Sequence, residues 1–289
     1  MRGWLLAVAL GVAGTASART FFPRTVKCPV GGKPFEYMAY GSYSRWGVLP
    51  DGQPVGSAEY PLEMPQCPDN GLVLFDEFDT PTIARLTPLV RSPEYQALRR
   101  TETRYYLAHW LQVKLGAAEA DRLWMLLTAG WEAKSRGTPE QAVRYQAEFV
   151  RGALALPDDP ALLTPLALKA RAVNALRELG RFEEAERLRA SLSVLPTMDA
   201  GEEGSAKNRE GWTRYLASLQ PVIARRDASR APIDLISDRE ARFRCLEPER
   251  PTNPGPPLTA FERDYCARPA VQDGLKSLRE AWGIKPVNS

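Results

Sequence analysis

The chain has 289 residues, and its 38 lysines and arginines against 35 aspartates and glutamates leave a formal net charge of +3. That balance excludes the strong positive field of a protein built to track nucleic acid. The length allows one large domain or two small ones with a real core.

Residues 1–18 read as a signal peptide. Arg2 gives the positive end, Trp4 to Ala13 an apolar run, and Ala16-Ser17-Ala18 a cleavage site before Arg19. The expected location is therefore periplasmic or secreted, and no cysteine follows the run closely enough for a lipid anchor. No later stretch is long and apolar enough to predict stable membrane insertion. Export brings an oxidising compartment, in which Cys28, Cys67, Cys245 and Cys266 are expected to form two disulfides. Three pairings are open. The long cysteine-free segment between the two pairs favours Cys28 with Cys67 and Cys245 with Cys266.

Arg19 to Lys27 is an extended lead-in. Residues 28–71 are rich in Gly, Pro and aromatics and lack a helical period, so short strands and turns are expected, with Asp51-Gly52 as a hairpin turn. The stretch opens with Cys28-Pro29-Val30-Gly31-Gly32 and closes with Cys67-Pro68-Asp69-Asn70-Gly71. Each looks like a C-P-x-C-G zinc knuckle whose second cysteine has become Gly31 or Asn70. Gly71 to Phe75 reads as a buried strand or the exit from the second knuckle.

From Thr80 the pattern turns helical. Thr80-Pro81 and Ser92-Pro93-Glu94 place a capping hydroxyl before a proline at the first helical position. Helices are predicted from Ser92 to Leu115 with Gly116 as cap, from Ala118 to Arg136, from Thr138 to Leu156, from Asp159-Pro160 to Leu179, and from Phe182 to Leu192. Asp199 to Ser205 is an acidic break. Further helices are expected over Ala206–Asp227, after Ala231-Pro232, and from Pro269 to Trp282, while the proline-dense 248–257 stretch loops out between Cys245 and Cys266. The arginines between Arg225 and Arg268 are nearly cancelled by interleaved acids, which reads as a solvated surface.

Two segments, Trp131 to Ala142 and Asn174 to Ala185, align at an offset of 43. The second carries L-x-x-L-G-x-F-x-x-A and resembles the middle of a tetratricopeptide repeat, with Gly180 in the turn and Ala185 where helices cross, although Lys169 stands where a large apolar residue is usual. Together, the split knuckles around Gly41-Ser42-Tyr43-Ser44 and the helices behind them resemble a bacterial family of unknown function that has an N-terminal zinc-ribbon-like module and tetratricopeptide-like helices. The resemblance covers about Lys27 to Leu192. It implies a ribbon fold and helical repeats but no reaction, and the departures at Gly31 and Asn70 set this chain apart from zinc binding. In an exported protein, a Cys28–Cys67 disulfide would hold the two turns together without metal.

The expected organisation is thus a signal peptide (1–18), a disulfide-clasped, degenerate zinc-ribbon-like module (19–79), a helical-repeat body (80–198) and C-terminal helices with a disulfide-closed loop (199–289). The fold class is mainly α, with a small irregular N-terminal β module. On the repeat register Trp131, Lys134, Asn174 and Arg177 would face a concave groove suited to an extended peptide or its carboxylate. The expected function is an exported, non-catalytic binding or scaffold protein with a protein or peptide partner in the cell envelope and no cofactor. Two alternatives are an exported hydrolase using the carboxylates Asp76, Glu77 and Asp79, and a metal-binding protein using Cys28, Cys67 and the single histidine, His109. Neither G-x-S-x-G nor H-E-x-x-H occurs.

Overall fold

The computed structural model describes residues 19–158, 162–193, 205–250 and 252–284. The expected signal peptide, the Asp159-Pro160 helix start and most of the acidic break lie outside them. The extended lead-in is a strand, β1 (Thr20–Lys27), that turns through the first knuckle and returns as β2 (Pro34–Ser42), antiparallel, with Phe21 opposite Tyr40 and Lys27 opposite Pro34. A second hairpin pairs β3 (Arg45–Val48) with β4 (Pro54–Gly56). Asp51-Gly52 lies in its turn, closed by the Gly52 N–H to the Leu49 carbonyl at 2.8 Å.

The two knuckles fold alike. Gly32 N–H donates to the Cys28 carbonyl (3.1 Å), and Gly71 N–H donates to the Cys67 carbonyl (2.9 Å). Cys28 and Cys67 are joined in a disulfide, with Cα atoms 5.7 Å apart. Gly31 and Asn70, the two departures from the knuckle pattern, meet there: a Cβ on Gly31 would lie 3.8 Å from Asn70 Nδ2. Asn70 donates from Nδ2 to the Val30 carbonyl (2.7 Å) and accepts the Leu72 N–H at Oδ1 (2.8 Å). The side chain at one lost cysteine position therefore bridges the turns by hydrogen bonds beside the covalent bridge. Gly71 has φ +79°, and a Cβ there would stand 2.3 Å from the Arg99 side chain. Arg99 in turn donates to the Pro68 and Asp69 carbonyls. Gly71→Ala is expected to cost about 1–2 kcal/mol from the left-handed backbone alone, plus the displacement of Arg99, as read by urea unfolding.

Helices α1 (Thr80–Arg91), α2 (Pro93–Thr101) and α3 (Arg104–Leu115) follow. A single helix over 92–115 was expected, and the structure breaks it at Glu102–Thr103. Thr103 caps α3 by accepting the Tyr106 N–H (3.4 Å), while the Glu102 carboxylate accepts from Tyr145 Oη (2.5 Å) and Arg144 (2.6 Å). Gly116 caps α3 in the left-handed conformation, as expected.

The body continues as α4 (Glu119–Arg136), α5 (Pro139–Ala155), α6 (Leu163–Glu178), α7 (Phe182–Ser193) and α8 (Ser205–Ala224). The Thr138/Gln141 capping box starts α5. Each helix packs on the next, and α6 also packs on both α4 and α8. The two aligned segments occupy matching places, each running from the end of one helix into the start of the next. Ala142 and Ala185 are buried at these crossings. Their turns differ, since Gly137 is at φ −98° and Gly180 at φ +73°. Lys169, the residue that spoils the repeat pattern, is buried and pairs with Asp158.

Helix α8 ends three residues sooner than expected, because Arg226 takes φ +58° and turns the chain. Ala231-Pro232 does not open a helix. The next one, α9 (Asp238–Leu246), starts where the Ser237 hydroxyl caps it. A short 3-10 turn (Glu247–Glu249) follows, then α10 (Ala260–Cys266) with a Thr259/Glu262 capping box that the sequence reading passed over, and α11 (Pro269–Trp282). Cys245 and Cys266 form the second disulfide. The protein is mainly α with a small β module.

Three apolar cores result. One joins the clasp to α1–α3 through Leu72, Val73, Leu86, Tyr95 and Leu107. The second runs through α4–α8, and the third closes the C-terminal helices around the second disulfide. The cores thus tie α1–α3 to the clasp, and α8 to the helical body.

Candidate functional site

Three of the four residues assigned to a groove gather at one place, but that place is filled by the protein itself. The β3–β4 turn inserts against α4, α6 and α8. Its Asp51 is 3% exposed, and the Asp51 carboxylate sits on the Lys134 ammonium. Lys134 also meets Glu178 Oε2 at 2.9 Å. Glu178 accepts from Gln146 Nε2 and Asn174 Nδ2, both at 2.7 Å. Asn174 Oδ1 accepts from the Arg177 guanidinium, which also donates to the Asp227 and Ser229 carbonyls at 2.6 and 2.8 Å. Arg171 and Tyr215 both donate to the Pro50 carbonyl (2.7 and 2.6 Å), and Arg230 reaches Gln53 from the opposite side.

Asn174 and Arg177 are wholly buried, so they are structural and do not face an open groove. Trp131 packs against the helical core. The residues the register reading missed here are Asp51, Gln146 and Glu178, since a hairpin turn 80 or more residues away in sequence is invisible to a helical repeat. Burial alone would raise the Asp51 carboxyl. Lys134, the Gln53 N–H and Arg230 outweigh it and hold the group below its ordinary 3.8.

The open concavity lies elsewhere. A cleft of about 750 Å³ forms where the chain leaves the second knuckle and crosses α1, α3 and the start of α4. Phe75, Phe78, Tyr105, Trp124 and Met125 form its apolar walls, and Asp76, Glu77, Asp79 and Asp121 stand around them with exposed carboxylates. Phe75 and Phe78 meet edge to face at 5.0 Å. No lysine or arginine lines the cleft. Arg85, on α1, donates instead to the Leu115 carbonyl at 2.7 Å. Gln112 Oε1 is buried in the cleft wall without a hydrogen-bond partner, an acceptor that suits an N–H donor.

Local structure explains each position. Asp79 caps α1 by accepting the Thr82 N–H at 2.9 Å, and Thr82 holds its carboxyl below 3.8. That carboxylate stays ionised near neutral pH and serves as a fixed charge, not as a proton donor. Asp76 accepts the Glu77 N–H at 2.8 Å, which orients the acidic turn. Tyr105 spends its hydroxyl on the Leu62 carbonyl (2.9 Å), and burial, with help from Glu132, pushes its pKa up to about 12. Asp121, Trp124, Met125 and Thr128 follow one helical stripe of α4. The stripe was readable in the sequence, but nothing there says that Asp76 and Glu77 lie across from it.

The ligand set proposed for a metal is dispersed. Cys28 and Cys67 are spent in the clasp. His109 is buried on α3, with Nδ1 2.9 Å from the Arg122 carbonyl and Nε2 3.5 Å from Glu148. The carbonyl can only accept, so Nδ1 donates to it. Among the described residues no three His, Cys, Asp or Glu side chains are grouped to hold a metal ion. Nor, among them, is any helix long and apolar enough to cross a membrane. Comparison with family models, curated proteins and solved structures gives no match for the chain.

Proposed function

We propose that the chain is an exported, non-catalytic binding protein of the cell envelope, and that its acidic–aromatic cleft receives a basic segment of a partner protein. Two disulfides fit an oxidising compartment. The observation that carries the reading is the cleft itself: four carboxylates around five apolar side chains, with no cation among the lining residues. An ammonium or guanidinium entering such a site gains charge pairing at the rim and ring-face contact at the walls, each cation–π contact contributing about 0.5–2 kcal/mol. The methylene stems of lysine and arginine pack on the same rings.

Trp124 gives a direct readout. Titration with a short synthetic peptide of alternating arginine and phenylalanine is expected to change tryptophan fluorescence saturably. The same peptide with glutamate for arginine should give no response. A combined Glu77→Gln and Asp121→Asn variant is expected to weaken binding by up to about thirtyfold, two lost charge pairs at up to about 1 kcal/mol each. Equal responses to the two peptides would contradict the assignment.

A further inference from the structure

The β1–β2 hairpin packs on the protein near the knuckle, where Phe35 meets the clasp core, while the end remote from the knuckle is largely uncovered. Seven of the eight β1 residues are exposed. Phe21, Phe22 and Met38 are 42%, 47% and 55% exposed, among the most exposed large apolar side chains described. The register puts Phe22, Arg24 and Tyr37 on one face and Phe21, Met38 and Tyr40 on the other. The end remote from the knuckle is therefore apolar all round. A two-stranded hairpin is marginal in water by itself, and a contiguous exposed apolar surface marks a place of contact.

The charges select the partner. Arg19 stacks on the Phe21 ring at 5.4 Å, and Arg24 and Lys27 make no ion pair among the described residues. Glu36 is the only acid on either strand. Lys33 is excluded from this set because it pairs with Asp69 at 3.0 Å. Pairing with a strand from a second copy is opposed by Pro23, which puts a residue without an N–H in the middle of the free β1 edge. Aromatic and thioether side chains at one end, with Arg19 and Arg24 beside them and Lys27 further along the same strand, fit the boundary between acyl chains and phosphate headgroups.

We propose that the β1–β2 hairpin docks the protein on an anionic lipid surface. Phe21, Phe22 and Met38 enter the headgroup boundary, and Arg19, Arg24 and Lys27 face the phosphates. This site is separate from the acidic cleft and stands or falls independently of it.

The test is co-sedimentation of the chain from Arg19 onward with vesicles of phosphatidylcholine alone or mixed with phosphatidylglycerol. Binding to the mixed vesicles at low salt and release at high salt are expected. Arg24→Gln with Lys27→Gln should weaken partitioning about thirtyfold, from roughly fivefold for each cation. Phe21→Ser with Phe22→Ser should weaken it at low salt as well. All four positions are exposed, so far-ultraviolet circular dichroism should be unchanged in both variants. No binding to the mixed vesicles would overturn the proposal, as would binding that both variants retain in full. A dimer in sedimentation equilibrium that the Phe21/Phe22 variant dissolves would assign the hairpin to a second copy and overturn it too.

Discussion

Replacing Asp51 with alanine is expected to lower the folding free energy by about 3–5 kcal/mol, because it strands a buried partner charge. The Lys134 ammonium would keep only Glu178, in a site where both carboxylates are now nearly sealed from water. Gln53, Arg171 and Arg230 would also lose the turn that organises them. Adding Lys134→Met to Asp51→Asn should not restore stability, because buried Glu178 would then keep only the Arg177 guanidinium at 3.7 Å as a cationic partner. Urea unfolding of the two variants reads these differences. The pH dependence has a definite sign. Because the folded Asp51 carboxyl lies below its ordinary value of 3.8, its contribution is complete above that value. It is lost as the pH falls through the lower folded value. The Asp51→Asn variant should therefore show a shallower loss of stability in that acid range than the parent.

The second large effect belongs to the clasp. Cys28 and Cys67 are separated by 39 residues, and opening a loop of that size is expected to cost about 4 kcal/mol by the chain-entropy estimate. A Cys28→Ser/Cys67→Ser variant should therefore unfold at markedly lower urea. The core under the clasp, with Leu72, Val73 and Tyr95, should loosen before the α4–α8 core. Asn70→Ala in the oxidised protein should cost less, about 1–2 kcal/mol for hydrogen bonds across the knuckles. Reduction of the wild type should reproduce the serine variant in this core. It would also open the Cys245–Cys266 bridge, whose separation of 21 residues corresponds to about 3 kcal/mol. The Cys245→Ser/Cys266→Ser variant separates the two contributions.

Much of this architecture is local in origin, and such features were legible in the sequence. Proline after a capping hydroxyl marks the starts of α2 and α5, and glycine the ends of α3 and α4, whereas at α1 the cap is Asp79 and not the expected Thr80. Neighbour pairing of the cysteines followed from the long interval between the two pairs. What escaped was long-range or carried no periodic signature. The break at Glu102 is set by Tyr145 and Arg144 on another helix. The groove register grouped Lys134, Asn174 and Arg177, yet could not show that the Asp51 turn fills the space in front of Lys134. Asp76, Glu77 and Asp79 stood out as an acidic cluster, but their opposing wall of Tyr105, Asp121 and Trp124 is assembled only by packing α3 and α4 against the knuckle exit.

The proposed recognition at this cleft contrasts with the helical groove, which is closed by the chain's own turn. Amide hydrogen exchange with and without the basic peptide tests it most directly. Added protection is expected over 75–79 and along 117–128, with no change over 131–134 or 174–178. Protection confined to the latter two segments, with release of 49–53, would contradict it.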